Sequence, residues 1–242
     1  MIRVEPALVV ALLPHGEHAV VARFLSADQG LVAAYVQGGR GRKLRPVLQI
    51  GNRVALDLAT KSAQQLAAAT VHPIGTNMAM LHGPAALALV DYLASLAAAT
   101  LPEGEAQPRL FPLFDALFGG AAAGAGVAVV GPALVRLELA VLAELGIGLD
   151  LSHCAATGSR DDLAYVSPKS RQAVSRGAGL PWAAKLLALP GFLLGTGNAD
   201  AEAMAQGLAL TGHFLAGELL RDGVAAKRCW AARERLISLL LR

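Results

Sequence analysis

The spacing of turn signals over the first seventy residues limits the fold more than any other feature. Apolar or alternating runs occupy residues 7–13, 19–25, 31–37, 53–59 and 66–71, separated by Pro14-His15-Gly16, Asp28-Gln29-Gly30, Gly38-Gly39 and Gly51-Asn52. The intervals are too short for the crossover helices that an open parallel sheet needs. Five short strands without crossovers predict a small barrel of the OB type.

After Pro73 the apolar period changes. Leu81, Leu89, Leu93 and Leu96 fit a helical stripe, a second helix is predicted at 110–118, and the glycine-rich residues 119–131 read as a flexible connection. Pro132 then reads as the start of a helix that ends at Gly146, where a left-handed backbone costs glycine nothing. Asp200 precedes another helix, Gly223 breaks it, and a last helix covers residues 225–241. The expected fold class is α+β: an N-terminal OB-fold barrel at residues 1–76, then an α-helical domain at 77–242 holding a loop-rich insert at 149–181.

Composition removes several classes. With 55% hydrophobic and 16% charged residues in 242, the chain is too apolar to be disordered. The uncharged stretches 62–90 and 116–135 are interrupted by polar residues, glycines and prolines, so no membrane span is expected. Cys154 and Cys229 cannot make a disulfide framework, and no signal-peptide pattern opens the chain, so a reduced cytoplasmic location is expected.

The densest functional signal is Gly38-Gly39-Arg40-Gly41-Arg42-Lys43-Leu44-Arg45-Pro46, with Arg53 following and no carboxylate between Asp28 and Asp57. Glycines let a backbone approach a polyanion, and arginine forks match phosphate oxygens. Arg40, Arg42, Lys43, Arg45 and Arg53 are the expected DNA-binding residues; the bland alternative is a solvated turn. Only Phe24 and Tyr35 are aromatic in the first seventy residues, so phosphate contacts rather than base stacking are expected of the barrel. Near the C-terminus Arg228, Arg235 and Arg242 share one helix face and Trp230 and Ile237 another, which fits either a solvated basic back or a second contact surface.

Catalytic signatures are thin. His15 and His18 lie in a turn without a third ligand, His153-Cys154 lacks a second cysteine at zinc-ribbon spacing, and Asp161-Asp162 reads as a solvated loop or cap. There is no Walker loop, no G-x-S-x-G, no H-E-x-x-H and no complete G-x-G-x-x-G. No enzymatic activity and no catalytic residue is expected, and the carboxylate cluster that a metal-dependent nuclease needs is missing near the basic loop. The remaining rival is a protein-interaction scaffold that does not touch DNA.

Several pieces together resemble the RecO family of bacterial recombination mediators. They are Val4-Glu5-Pro6-Ala7, His15-Gly16-Glu17, Asp28-Gln29-Gly30-Leu31, the basic segment from Gly38 through Gly51-Asn52, residues 139–150, Cys154-Ala155-Ala156-Thr157-Gly158, and Leu163-Ala164-Tyr165-Val166-Ser167-Pro168. The order is collinear over essentially the whole chain. The resemblance implies an OB fold joined to a helical domain with an embedded zinc-ribbon-like insert. It also implies binding of single- and double-stranded DNA, strand annealing, and RecA loading with RecR and, in some members, RecF. A further implied partner is the C-terminal tail of single-strand binding protein, for which Arg109, Arg136, Arg221, Lys227 and Arg228 are the available cations. The DNA-binding role carries onto Arg40, Arg42, Lys43 and Arg45, and the location becomes cytoplasmic and nucleoid-associated. Thr157 stands where many members have the second of paired cysteines, so the insert reads as a degenerate ribbon without zinc and no cofactor is expected.

Overall fold

The computed structural model describes residues 1–60, 65–75 and 81–241. The boundary expected between residues 76 and 77 lies outside them, as does Arg242. The described residues divide into two units, one within 1–125 with 224–239, the other of residues 126–223 with 240–241.

In the first unit, β1 (Ile2–His15), β2 (Ala19–Ser26), β3 (Gly30–Val36), β4 (Arg53–Ala59) and β5 (Ala67–Gly75) form a closed barrel in the order β1-β2-β3-β5-β4. This is the expected OB-like architecture. β3 and β5 pair in parallel, and the other neighbours pair antiparallel. The long β1 serves two partners, its first half on β4 and its second on β2, with register shifts between Val4 and Ala7 and between Val9 and Ala11. Such irregularities bend and twist a strand, which helps a five-stranded sheet to close.

The period of two puts one face of each strand inside. Val20, Ala22 and Phe24 of β2 meet Ala34 and Val36 of β3, Val54, Leu56 and Leu58 of β4, and Ala69 and Val71 of β5 in one cluster. Leu8 and Val10 have the opposite parity on β1 yet are also buried, because α1 (Pro84–Thr100) packs on that strand. Gly30, at φ +61°, is required: a Cβ there would lie 1.7 Å from the Glu105 carbonyl oxygen, where the chain after α1 docks on the β2–β3 turn. α2 (Phe111–Ala122) and α6 (Val224–Leu240) complete the unit.

The second unit holds α3 (Val127–Glu144), α5 (Ala201–Phe214) and, between them, a three-stranded sheet. β6 (Leu163–Val166) lies between β7 (Ala173–Ser175) and β8 (Leu187–Ala188), and a helical turn α4 (Arg176–Gly179) with a 3-10 turn (Leu180–Lys185) joins the last two. The segment read as loop-rich therefore carries a small sheet. Asp200 caps α5, accepting from the Ala203 N–H at 2.8 Å. A Cβ on Gly131 of α3 would lie 2.0 Å from Met204 Sδ, so glycine allows α3 and α5 their close approach.

Two expectations are corrected. Residues 119–131 are not a flexible connection: α2 continues through Gly119 and Gly120 to Ala122, held by buried Phe118 and Ala121, and only residues 123–126 connect it to α3. Pro132 does not open α3 but lies inside it, in its second turn. An interior proline loses one backbone hydrogen bond, here to Ala128, at a cost of ~3 kcal/mol or more, and burial of Val130, Leu134 and Val135 around it offsets that loss. The far end of α3 follows expectation. Gly146 takes φ +78°, and the Gly146 and Ile147 N–H groups return to the Ala143 and Leu142 carbonyls. No described helix is long and apolar enough to cross a membrane.

Candidate nucleic-acid interface

The segment between β3 and β4 alternates residues that enter the barrel with residues that leave it. Leu48 is buried in the barrel cluster, and Leu44 and Val47 pack against it. Gly39 is also buried; a Cβ there would meet Val20 Cγ2 at 2.6 Å. A helical turn forms between these anchors, with Arg45 N–H donating to Gly41 O at 2.9 Å and Leu48 N–H to Leu44 O at 2.8 Å. Asn52, itself buried, clamps the exit: its Nδ2 donates to the Pro46 and Val47 carbonyls, both at 3.0 Å. The Gly51 N–H and Asn52 carbonyl then bond to Val9 of β1.

With its apolar side chains inside, the loop turns Arg40, Arg42, Lys43 and Arg45 to solvent. Arg40 is tied to the β1–β2 turn, its Nη1 donating to Gly16 O at 3.0 Å and its N–H to His18 O at 3.1 Å. Among the described residues none of these four side chains pairs with a carboxylate. The backbone is thus ordered before any ligand arrives, while the positive charge stays uncompensated.

Arg53 is placed differently. Its guanidinium makes a two-pronged pair with Asp115 of α2, Nε donating to Oδ1 at 2.5 Å and Nη2 to Oδ2. A phosphate reaching Arg53 has to compete with that carboxylate. Sequence reasoning missed Asp115, and nothing in the sequence links it to a strand sixty-two residues earlier.

The aromatic residues of the barrel offer little to a base. Phe24 is buried, and the half-buried Tyr35 ring stands edge-on to His15 with its hydroxyl on Gln37. On α6, Arg228 and Arg235 converge on Asp91 of α1, the former at 3.8 Å, so the basic face is exposed but partly neutralised. Of the cations expected for a tail peptide, Arg109, Lys227 and Arg228 belong to the first unit, Arg136 and Arg221 to the second. Arg136 lies over the Phe192 ring at 5.6 Å, and Arg221 pairs with Glu218 at 3.5 Å.

Around Cys154 the structure shows hydrogen-bond partners and no second cysteine. The Cys154 sulfur accepts from Ser175 N–H at 3.2 Å and lies 3.4 Å from Ser175 Oγ. Burial pushes the Cys154 thiol up, but bonds from the Ser175 hydroxyl and N–H, the Thr157 hydroxyl and the Ala156 N–H outweigh it and bring the thiol down to about 6. Thr157, at the place of the second cysteine, supplies a hydroxyl in place of a second thiol. His153 binds Ser152 Oγ at 2.6 Å, and no group of three or more His, Cys, Asp or Glu that could hold a metal occurs among the described residues.

Comparison with known proteins shows the family. The family model described as "Recombination protein O N terminal" matches residues 1–74, and that described as "Recombination protein O C terminal" matches residues 81–227. A protein named DNA repair protein RecO from Phenylobacterium zucineum (strain HLK1) is 45% identical over 214 residues, covering 87% of this chain and 86% of its own. Relatives of the same name from Cereibacter sphaeroides (strain ATCC 17029 / ATH 2.4.9) and Paracoccus denitrificans (strain Pd 1222) are 41% and 42% identical over 234 residues. They cover 94% and 97% of this chain and 93% and 94% of their own.

Proposed function

The chain belongs to the RecO family of DNA repair and recombination proteins, and from that premise we propose that it is a non-enzymatic DNA-binding recombination mediator. The observation that carries this reading is the ordered β3–β4 loop with four exposed, uncompensated cations. Arg40, Arg42, Lys43 and Arg45 bind the phosphates of single- and double-stranded DNA, releasing counterions, with little sequence preference. Arg53 joins them only when it leaves Asp115. Neutralising the phosphates of two complementary strands lowers their repulsion, which is what annealing requires of a protein without a catalytic step.

The wider role follows the family: the protein helps to load RecA together with RecR, with RecF in some settings, and takes the acidic C-terminal tail of single-strand binding protein. It acts in the cytoplasm at the nucleoid and holds no zinc. The test is fluorescence anisotropy with labelled single-stranded and duplex oligonucleotides of unrelated sequence, paired with an annealing assay on complementary strands. Wild type should bind both and speed annealing, and the variant R42A/K43A should lose most of both activities. No binding even at low salt would leave a protein-interaction scaffold in place of this reading.

A further inference from the structure

The chain has six Phe, three Tyr and two Trp, and all of these but one are buried or half-buried. The exception is Trp182, 60% exposed, in the 3-10 turn that leads to β8. Its neighbour Leu180 is 67% exposed, and no residue of that turn is buried. The turn nonetheless has a firm seat: a Cβ on Gly179 would lie 2.4 Å from Tyr165 Cδ2, so the chain entering it lies against β6. A large ring held out from an ordered base gives up the stabilisation that burial would bring, and such a patch marks a contact surface.

The charges nearby show what the contact takes. Along the sequence from Leu163 through Ala199 there is no carboxylate, while Lys169, Arg171, Arg176 and Lys185 fall in that stretch; Arg176 is paired with Asp162 at 3.2 Å, and Lys185 is the cation at the ring. Lys185 Nζ sits 5.6 Å from the centre of the Trp182 ring, over one face, while the indole as a whole stays 60% exposed. A flat aromatic face beside an ammonium matches a nucleobase followed by its phosphate. The basic loop of the barrel carries no aromatic residue, Phe24 is buried, and the Tyr35 ring stands edge-on to His15.

We propose that Trp182 is a stacking platform for an unpaired nucleobase, with Lys185 holding the adjoining phosphate, so that this sheet favours single strands over duplex. The inference rests on the DNA-binding reading above. It needs an unpaired base, because bases in a duplex already stack on each other.

The test titrates the full chain with an oligo-dT strand and with a duplex, following both anisotropy and tryptophan emission. Single-stranded DNA should quench the emission of wild type, and W182F, which still contains Trp230, should lose that quench while binding within about threefold of wild type. W182A should weaken single-strand binding at least about fivefold without changing its salt slope or duplex binding, whereas K185A should flatten the slope by about 0.7. If W182A folds poorly, the comparison of wild type with W182F still decides. Unchanged oligo-dT affinity in W182A with no quench of wild type would overturn the platform and leave the loop's role standing. Equal loss on single strand and duplex would also overturn it and point to a protein-contact or folding role for the ring. Failure of wild type to bind any DNA would overturn the function itself.

Discussion

The β3–β4 loop of the barrel sends Leu44, Val47 and Leu48 inward and displays four cations on the backbone they fix. The turn from Leu180 to Lys185 buries none of its residues and displays an indole with one ammonium over it. The first surface is charge on a core-anchored spine; the second is a ring on a small sheet whose Ser175 hydrogen-bonds the Cys154 sulfur. The difference separates two kinds of affinity. Phosphate contacts respond to salt and ignore base pairing, whereas stacking ignores salt and depends on bases being unpaired.

The basic loop depends most on Leu48. Truncation to Ala removes a buried side chain from the barrel and should cost about 2–5 kcal/mol in urea unfolding. DNA affinity should fall with it although no charge is lost. A loop that kept full affinity in a folded L48A protein would not need its anchor. Asn52→Ala is the milder form, expected to cost ~1–3 kcal/mol because the Pro46 and Val47 carbonyls lose their donor.

The sheet should respond less. Cys154→Ala is expected to cost about 1–2 kcal/mol, a small cavity with no metal centre lost, and elemental analysis of protein purified without added metal should show no stoichiometric zinc. The thiol titrates at about 6 in the fold and near 8.5 unfolded. The unfolded chain therefore binds more protons between those values, so the Cys154 contribution to stability rises with pH across the window and fades as pH falls through about 6. Urea midpoints at pH 6 and pH 9 should show a rise in wild type that shrinks in C154A.

The smallest expected effect is at Asp115. Replacement by Asn weakens the hold on Arg53, and one more phosphate contact should steepen the single-strand salt slope by up to about 0.7. An unchanged slope would place Arg53 outside the DNA path.

The five barrel strands were legible because period-two burial and turn residues agree, as Val54, Leu56 and Leu58 between Gly51-Asn52 and Thr60 illustrate. The helix boundary at Pro132 was not, because tertiary burial of α3 overrides a local breaker. The strands at Leu163–Val166 and Ala173–Ser175 are too short to carry a period. In the candidate interface the cations of the loop stood out as a cluster without nearby carboxylates, yet the pairing of Arg53 with Asp115 depends on a distant helix and left no local trace. Exposure of Trp182 was equally hidden, since nothing in its local sequence tells whether the fold covers it.

If the loop binds DNA by neutralising phosphates, its single-strand affinity must fall steeply with salt. With about four phosphates engaged, log K should fall against log salt with a slope near −3, and R42A/K43A should flatten it by one to two units. A slope that is the same in the double variant, at unchanged affinity, would contradict phosphate binding by the loop.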